Sequence, residues 1–222
     1  MTRASRCLLV ALVAFAPAVP LRAADLQVLL KEDFEAGADR WQPGDAGAWK
    51  LLDTPEGKVY SLFQQSKYKP PQRSPVNIAL AKDLIVSDFV LTTKAQSTIK
   101  DYGHRDMCLY FGYQDPSHFY YVHFGKQTDD HANQIFIVND APRKKISTKT
   151  TPGTPWTDQW HTLRVERSVG DGAIRVYFDD LHTPAMTAED KTFTWGQVGI
   201  GSFDDIGNFD DITLEGVKAH RP

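Results

Sequence analysis

The stretch Trp195-Gly196-Gln197-Val198-Gly199-Ile200-Gly201-Ser202-Phe203-Asp204-Asp205-Ile206-Gly207-Asn208-Phe209-Asp210-Asp211-Ile212 reads as two short strands parted by an acidic turn. Its counterpart lies near the other end of the chain: Lys31-Glu32-Asp33-Phe34-Glu35-Ala36-Gly37, with Trp41 just beyond. Both stretches set acids among apolar residues in a strand-like pattern. That points to two terminal strands lying side by side and gathering carboxylates at one place. On strand alternation, Asp33 and Glu35 share one face while Phe34 points to the core. Phe209 and Asp211 then share one face, and Asp210 and Ile212 the other.

Working outward, short runs rich in β-branched and aromatic residues recur at 59–63, 88–96, 107–113, 119–124, 134–138, 160–167, 173–179, 197–202 and 209–214. Turn chemistry separates them at Gln114-Asp115-Pro116-Ser117, Asn139-Asp140-Ala141-Pro142 and Gly170-Asp171-Gly172. No window carries an amphipathic helical period over three turns. Many strands without helices predict an all-β chain built as an antiparallel two-sheet β-sandwich. No linker or repeat divides it, so residues 25–222 read as a single domain.

Residues 1–24 read as a secretory signal peptide. Arg3 and Arg6 form a basic start, 7–16 an apolar core, and Ala23-Ala24 a cleavage site. The apolar run is too short to span a bilayer, and no second run of spanning length follows. A secreted or periplasmic location is the expectation. Cleavage turns 25 basic against 28 acidic side chains into 22 against 28, because Arg3, Arg6 and Arg22 leave and no acid does. An acidic surface argues against nucleic acid as a partner. Cys7 leaves too, and Cys108 alone cannot form an intrachain disulfide.

Trp160-His161-Thr162-Leu163-Arg164-Val165-Glu166-Arg167, then Gly172-Ala173-Ile174-Arg175-Val176-Tyr177-Phe178-Asp179-Asp180, then Val198-Gly199-Ile200-Gly201-Ser202, resembles the closing half of concanavalin A-like jelly rolls of the laminin-G-like kind. The two acidic chain ends resemble those of secreted carbohydrate-binding sandwiches. The resemblance implies a glycan-interacting domain with an oligo- or polysaccharide partner. It also implies a structural Ca²⁺ between the first and last strands, held by Asp33 or Glu35 and by Asp211. Calcium takes six to eight oxygens in a flexible cage, so these residue types suit it. The plainer reading of the acids is solvated edges and turns, and Asp204-Asp205 fits a turn well.

In such jelly rolls the concave sheet face binds sugar. Alternation places Phe89, Leu91, Met107, Leu109, Phe111, Tyr120, Val122, Phe124, Ile135 and Ile137 inward. It leaves Lys94, Gln96, Asp106, Cys108, Tyr110, Tyr121, His123 and Gln134 outward, unless a bulge, for which Gly112 is the candidate, flips a strand. Flat rings beside planar polar groups are what sugars need. Lys94, Gln96, Arg105, Tyr110 and Gln134 are therefore the candidate ligand-binding residues, with Arg105 suited to a uronate carboxylate. His123, Tyr121 and Asp106 could supply a base, an acid and an orienting carboxylate. That set makes a glycoside hydrolase or polysaccharide lyase the alternative. An envelope structural or adhesion module is the third. Arg143-Lys144-Lys145 beside a proline turn reads as a solvated loop tip, and Cys108 as a small half-buried strand residue.

Overall fold

The hairpin expected at 160–179 is the middle of one sheet. Strands β12 (His161–Arg167) and β13 (Ala173–Phe178) pair through the Gly170-Asp171-Gly172 turn. The computed structural model describes residues 26–221, so the signal peptide reading of 1–24 lies outside the described residues. A nine-stranded sheet runs β11 (Lys149–Thr150), β14 (Met186–Glu189), β13, β12, β6 (Val86–Ser97), β16 (Gly207–Lys218), β4 (Gly57–Leu62) and β3 (Trp49–Thr54), with β1 (Gln27–Glu32) also on β16. A seven-stranded sheet runs β10 (Lys144–Lys145), β9 (Gln134–Asn139), β8 (His118–Gly125), β7 (Asp106–Asp115), β15 (Gln197–Ser202), β5 (Asn77–Ala81) and β2 (Trp41–Pro43). Among the described residues the one helical element is a 3-10 turn at Ala46–Ala48. The chain is an all-β, antiparallel two-sheet sandwich. None of its helices is long and apolar enough to cross a membrane, among the described residues.

The two chain ends meet as expected. β1 lies antiparallel to β16, with Glu32 opposite Ile212 and Lys31 opposite Thr213. Two local departures change which side chains face inward. β1 stops at Glu32, and Phe34 turns with φ 58°, so Asp33 to Gly37 is a turn and not a strand. In β16 the pairing with β6 slips between Asp210 and Thr213, and Asp211 takes φ 47°. This bulge puts one extra residue into the strand. Phe209 and Ile212 therefore both face the core, while Asp210 and Asp211 both stay outside it. The expected alternation across 209–212 is corrected by that bulge.

Elsewhere alternation holds. Phe89, Leu91, Met107, Leu109, Phe111, Tyr120, Val122, Phe124, Ile135 and Ile137 join one core cluster between the sheets. Each such side chain, fully buried, contributes roughly 1.5–3 kcal/mol from the water it leaves. The pairing of β7 with β8 slips after Phe111, and Gly112 sits there with φ +54°. The bulge expected at Gly112 is present. It falls after Tyr110, so it leaves the earlier half of β7 in phase.

Candidate functional site

The outward residues of β7, β8 and β9 lie on the outer face of the seven-stranded sheet. Cross-strand pairing sets Tyr110 opposite Tyr121, and Cys108 opposite His123. His123 in turn faces Gln134. Lys94 and Gln96 are not on this face. They stand on β6, whose neighbours Asp210, Thr162 and Asn208 belong to the nine-stranded sheet. Lys94 is exposed there, and Gln96 is tied to Asp158 and Asn208. The single polar face expected from alternation is thus split between the two sheets, since period two gives inward or outward but not which sheet a strand joins.

The face is covered. A second apolar cluster of Ile78, Cys108, Tyr110, Phe119, Tyr121, Phe136 and Val138 sits on it, flanked by Tyr68, Tyr113 and Phe203. The loop at 64–76 supplies Tyr68 and is anchored by Ser66 N–H donating to Asn77 Oδ1 (2.8 Å) and Lys67 N–H to Asp45 Oδ2 (2.7 Å). Tyr110 is fully buried, and its hydroxyl donates to the carbonyls of Asn77 (2.7 Å) and Ser202 (3.1 Å). Gln134 donates to the Asp129 carbonyl (2.8 Å). Arg105 is 1 % exposed and is spent on Ser97 and Asp158. Its guanidinium joins the end of β6 to two loops.

His123, Tyr121 and Asp106 do come together, beneath the surface. His123 Nε2 lies 3.8 Å from Asp106 Oδ2, and both side chains are nearly inaccessible. His123 Nδ1 accepts the Asn133 N–H (3.3 Å), which places the ring proton on Nε2. Burial, with Arg143 and His104 nearby, pushes the imidazole pKa down to about 3. The ring stays neutral and is a weak base. Burial raises the Tyr121 phenol well above its ordinary range. Burial first, and Asp205 second, raise the Asp106 carboxyl strongly. Cys108 is fully buried and donates to Asp106 Oδ2 (3.3 Å). Its thiol pKa is driven up by burial and by that carboxylate, which removes thiolate chemistry.

What reaches solvent over this face is a set the sequence reading missed. Arg143 lays its guanidinium on Phe203 (4.0 Å to the ring centre) and Phe136 (4.9 Å), and donates to the Tyr121 hydroxyl (3.0 Å). The loop tip expected at Arg143 is instead folded back onto the sheet. Phe203 is half-buried, Asp204 exposed and Asp205 buried. The signal for Phe203 and its neighbours was their position, directly after β15. No local pattern marks Arg143, which is brought in by the Arg143 N–H bond to the Arg73 carbonyl (3.0 Å).

The terminal acids form a second candidate place. An open cleft of about 350 Å³ is lined by Lys31, Glu32, Asp33, Asp211, Ile212 and Thr213. Partial burial, then the nearby charges of Asp211, Asp33 and Glu35, push the Asp210 carboxyl up to about 6. Glu35 Oε1 accepts the Lys58 N–H (2.6 Å). Asp33 Oδ1 accepts the Glu35 N–H (3.2 Å). Among the described residues, the one group of three acids with oxygens within 4.8 Å of one another is elsewhere, at Asp106, Asp204 and Asp205. Asp33, Glu35 and Asp211 share a neighbourhood but are not drawn in as a tight set.

No family model matches the sequence, and no curated protein matches it. Solved structures do match the fold. A carbohydrate-binding module, CBM66 from Bacillus subtilis, aligns over 80 % of this chain and 96 % of its own with a TM-score of 0.58 at 17 % identity. Domain 4 of AbnA, a GH43 extracellular arabinanase from Geobacillus stearothermophilus in complex with arabinotriose, covers 88 % and 95 % with a TM-score of 0.55 at 13 % identity. Winged bean acidic lectin complexed with methyl-α-D-galactose covers 88 % and 100 % with a TM-score of 0.53 at 10 % identity. The fold is the concanavalin A-like jelly roll.

Proposed function

We propose that this chain is an exported carbohydrate-binding domain, spanning 25–222, that holds an oligo- or polysaccharide over Arg143, Phe203 and Asp204. The observation that carries this reading is Arg143 stacked at 4.0 Å on Phe203, which the exposed Asp204 follows in the chain. A half-buried ring offers a sugar C–H face its apolar partner, and a planar guanidinium with a carboxylate offers paired hydroxyls donors and acceptors. The similar solved structures, a carbohydrate-binding module and lectins among them, support the same class of ligand.

A polysaccharide panel scored for binding and for product release tests it. Saturable binding without turnover is expected, with Phe203→Ala and Arg143→Ala each weakening it by about tenfold, as central contacts do. Reducing ends or unsaturated products that vanish in His123→Ala would replace this reading with a hydrolase or lyase. The neutral, buried His123 speaks against that outcome. Silence in both assays, with self-association instead, would favour an envelope structural module.

The calcium reading at Asp33, Glu35 and Asp211 belongs to the same proposal. Partial burial is the first cause that raises the Asp210 carboxyl to about 6, and the smaller part from Asp211, Asp33 and Glu35 is repulsion that a cation would relieve. Chelation is expected to lower the melting temperature, and Asp211→Ala to abolish that sensitivity. A melting curve that chelator leaves unchanged rejects this site.

A further inference from the structure

Three carboxylates meet where β7 begins and β15 ends. Asp106 opens β7, and Asp204 and Asp205 follow β15 after Phe203. One oxygen from each lies within 4.8 Å of the others. Asp106 is fully buried and uses its two oxygens unequally. Oδ2 accepts the Phe203 N–H (2.8 Å) and the Cys108 thiol (3.3 Å). Oδ1 is buried and has no hydrogen-bond partner. Native interiors leave few polar atoms in that condition, and a carboxylate oxygen is among the costlier ones to strand.

The side chains around the cluster do not supply the missing charge. Arg105 is directed at Ser97, Asp158 and Asp101. Lys126 pairs with Asp101, and Arg143 with the Tyr121 hydroxyl. The basic group near Asp106 is His123 at 3.8 Å, and its Nδ1 is occupied as an acceptor by the Asn133 N–H. An imidazole held in that tautomer brings no charge.

The remaining members are held with lone pairs to spare. Asp205 Oδ1 accepts the Tyr102 hydroxyl (2.7 Å), and Oδ2 accepts the Asp106 N–H (2.8 Å). The Asp205 carbonyl takes hydrogen bonds from Asn77 Nδ2 (3.0 Å) and Ser202 Oγ (2.6 Å). A carboxylate offers about four acceptor sites, so neither Asp205 oxygen is filled. Asp204 is exposed and opens the cluster to solvent. The result is a hydrogen-bonded, buried floor of Asp106 and Asp205 with one exposed acidic arm, Asp204.

We propose that Asp106, Asp204 and Asp205 bind a hard divalent cation, with calcium as the fitting class, at a site separate from the terminal acids. All-oxygen ligands of high negative charge select Ca²⁺, Mg²⁺ or Mn²⁺ over softer metals. A cage that opens to solvent only on the Asp204 side, with three acids in no fixed octahedral set, suits calcium better than the strict octahedron of magnesium. The bound ion neutralises the cluster and locks the 203–205 turn. The proposal does not rest on the glycan reading.

The experiment uses the full processed chain, stripped with chelator and exchanged into metal-free buffer. Ca²⁺ and Mn²⁺ are titrated by calorimetry up to about 1 mM, the weak end for extracellular modules. Terbium luminescence sensitised by Tyr102, which touches Asp205, gives a second readout. Native protein is expected to take up calcium. Asp204→Asn, a change at an exposed position, is expected to weaken uptake about tenfold or more by removing one ligand charge. Asp211→Ala leaves the terbium signal sensitised by Tyr102 in place, because Tyr102 touches Asp205 and not the terminal acids. Asp106→Asn is expected to abolish the terbium signal sensitised by Tyr102. No uptake of either ion by the native chain overturns the proposal. So does a Tyr102-sensitised terbium signal that Asp204→Asn leaves unchanged, or one lost in Asp211→Ala alone. Glycan binding is scored separately, so its failure does not touch this result.

Discussion

Single residues in this fold carry costs that can be measured. Tyr110 is buried on the outer face of the seven-stranded sheet, where its hydroxyl serves two carbonyls of neighbouring strands. Tyr110→Phe strands those acceptors without changing shape, so urea denaturation should show a loss of about 1–3 kcal/mol. His118 makes a cleaner pH probe. It lies between Asp115 (2.9 Å) and Asp140 (3.1 Å), and hydrogen bonding to Asp115 is the first cause raising its pKa above the ordinary value. The folded state thus binds this proton more tightly than the unfolded chain does. Its contribution is fully present below about 6.5 and fades as pH climbs through the raised folded value. NMR titration should find the His118 midpoint above 6.5, and Asp140→Asn should lower it. A midpoint at or below the free-histidine value contradicts the arrangement. At this scale the candidate residues were readable as types. Their occupation was not: Arg105 and Gln134 look like ligand contacts in sequence, yet neighbours in space already use their donors.

Strands show both what period two reveals and where it breaks. Residues 107–111 and 120–124 face as alternation predicts, because each lies within one uninterrupted ladder. At Gly112 the ladder slips, and a Cβ there would stand 3.1 Å from the Tyr120 ring. Gly112→Ala combines that contact with a left-handed backbone and should cost at least about 1–2 kcal/mol by chemical denaturation. Asp211 sits at a similar slip in β16, but no glycine announces it. That is why Phe209 and Ile212 both entering the core was not legible. Short elements such as β2, β10 and β11 carry too few residues for any period. β5 escaped notice for a related reason, since Pro75 and Ala-rich 77–81 lack the β-branched density of its neighbours. Leu214 lies on β16 in the core, beside both β1 and β6. Leu214→Ala should cost about 2–5 kcal/mol, as cavities in packed cores do.

For the molecule as a whole, the dominant pairings join distant parts of the chain. β1 closes on β16, β5 on β15, and β6 on both β12 and β16. Loop closure must be spent before such contacts form, so refolding followed by stopped-flow fluorescence should run over milliseconds to seconds, not microseconds. The cluster of three acids belongs to this scale too. Asp106 is about a hundred positions from Asp204 and Asp205, and they meet because β7 and β15 are neighbours in one sheet. The strand-rich pattern, the absence of helical period and the inward set of side chains were all readable along the chain, because each depends on residues two or three apart. Sheet membership depends on which strand docks against which across long separations, and no local period carries that. Lys94 and Tyr121 therefore look alike in sequence as outward residues, yet stand on opposite sheets. Pairing and the covering loops alone set which outward residues stay wet: Arg143 and Phe203 came to the surface of the site while Tyr110, Tyr121 and His123 were sealed beneath it.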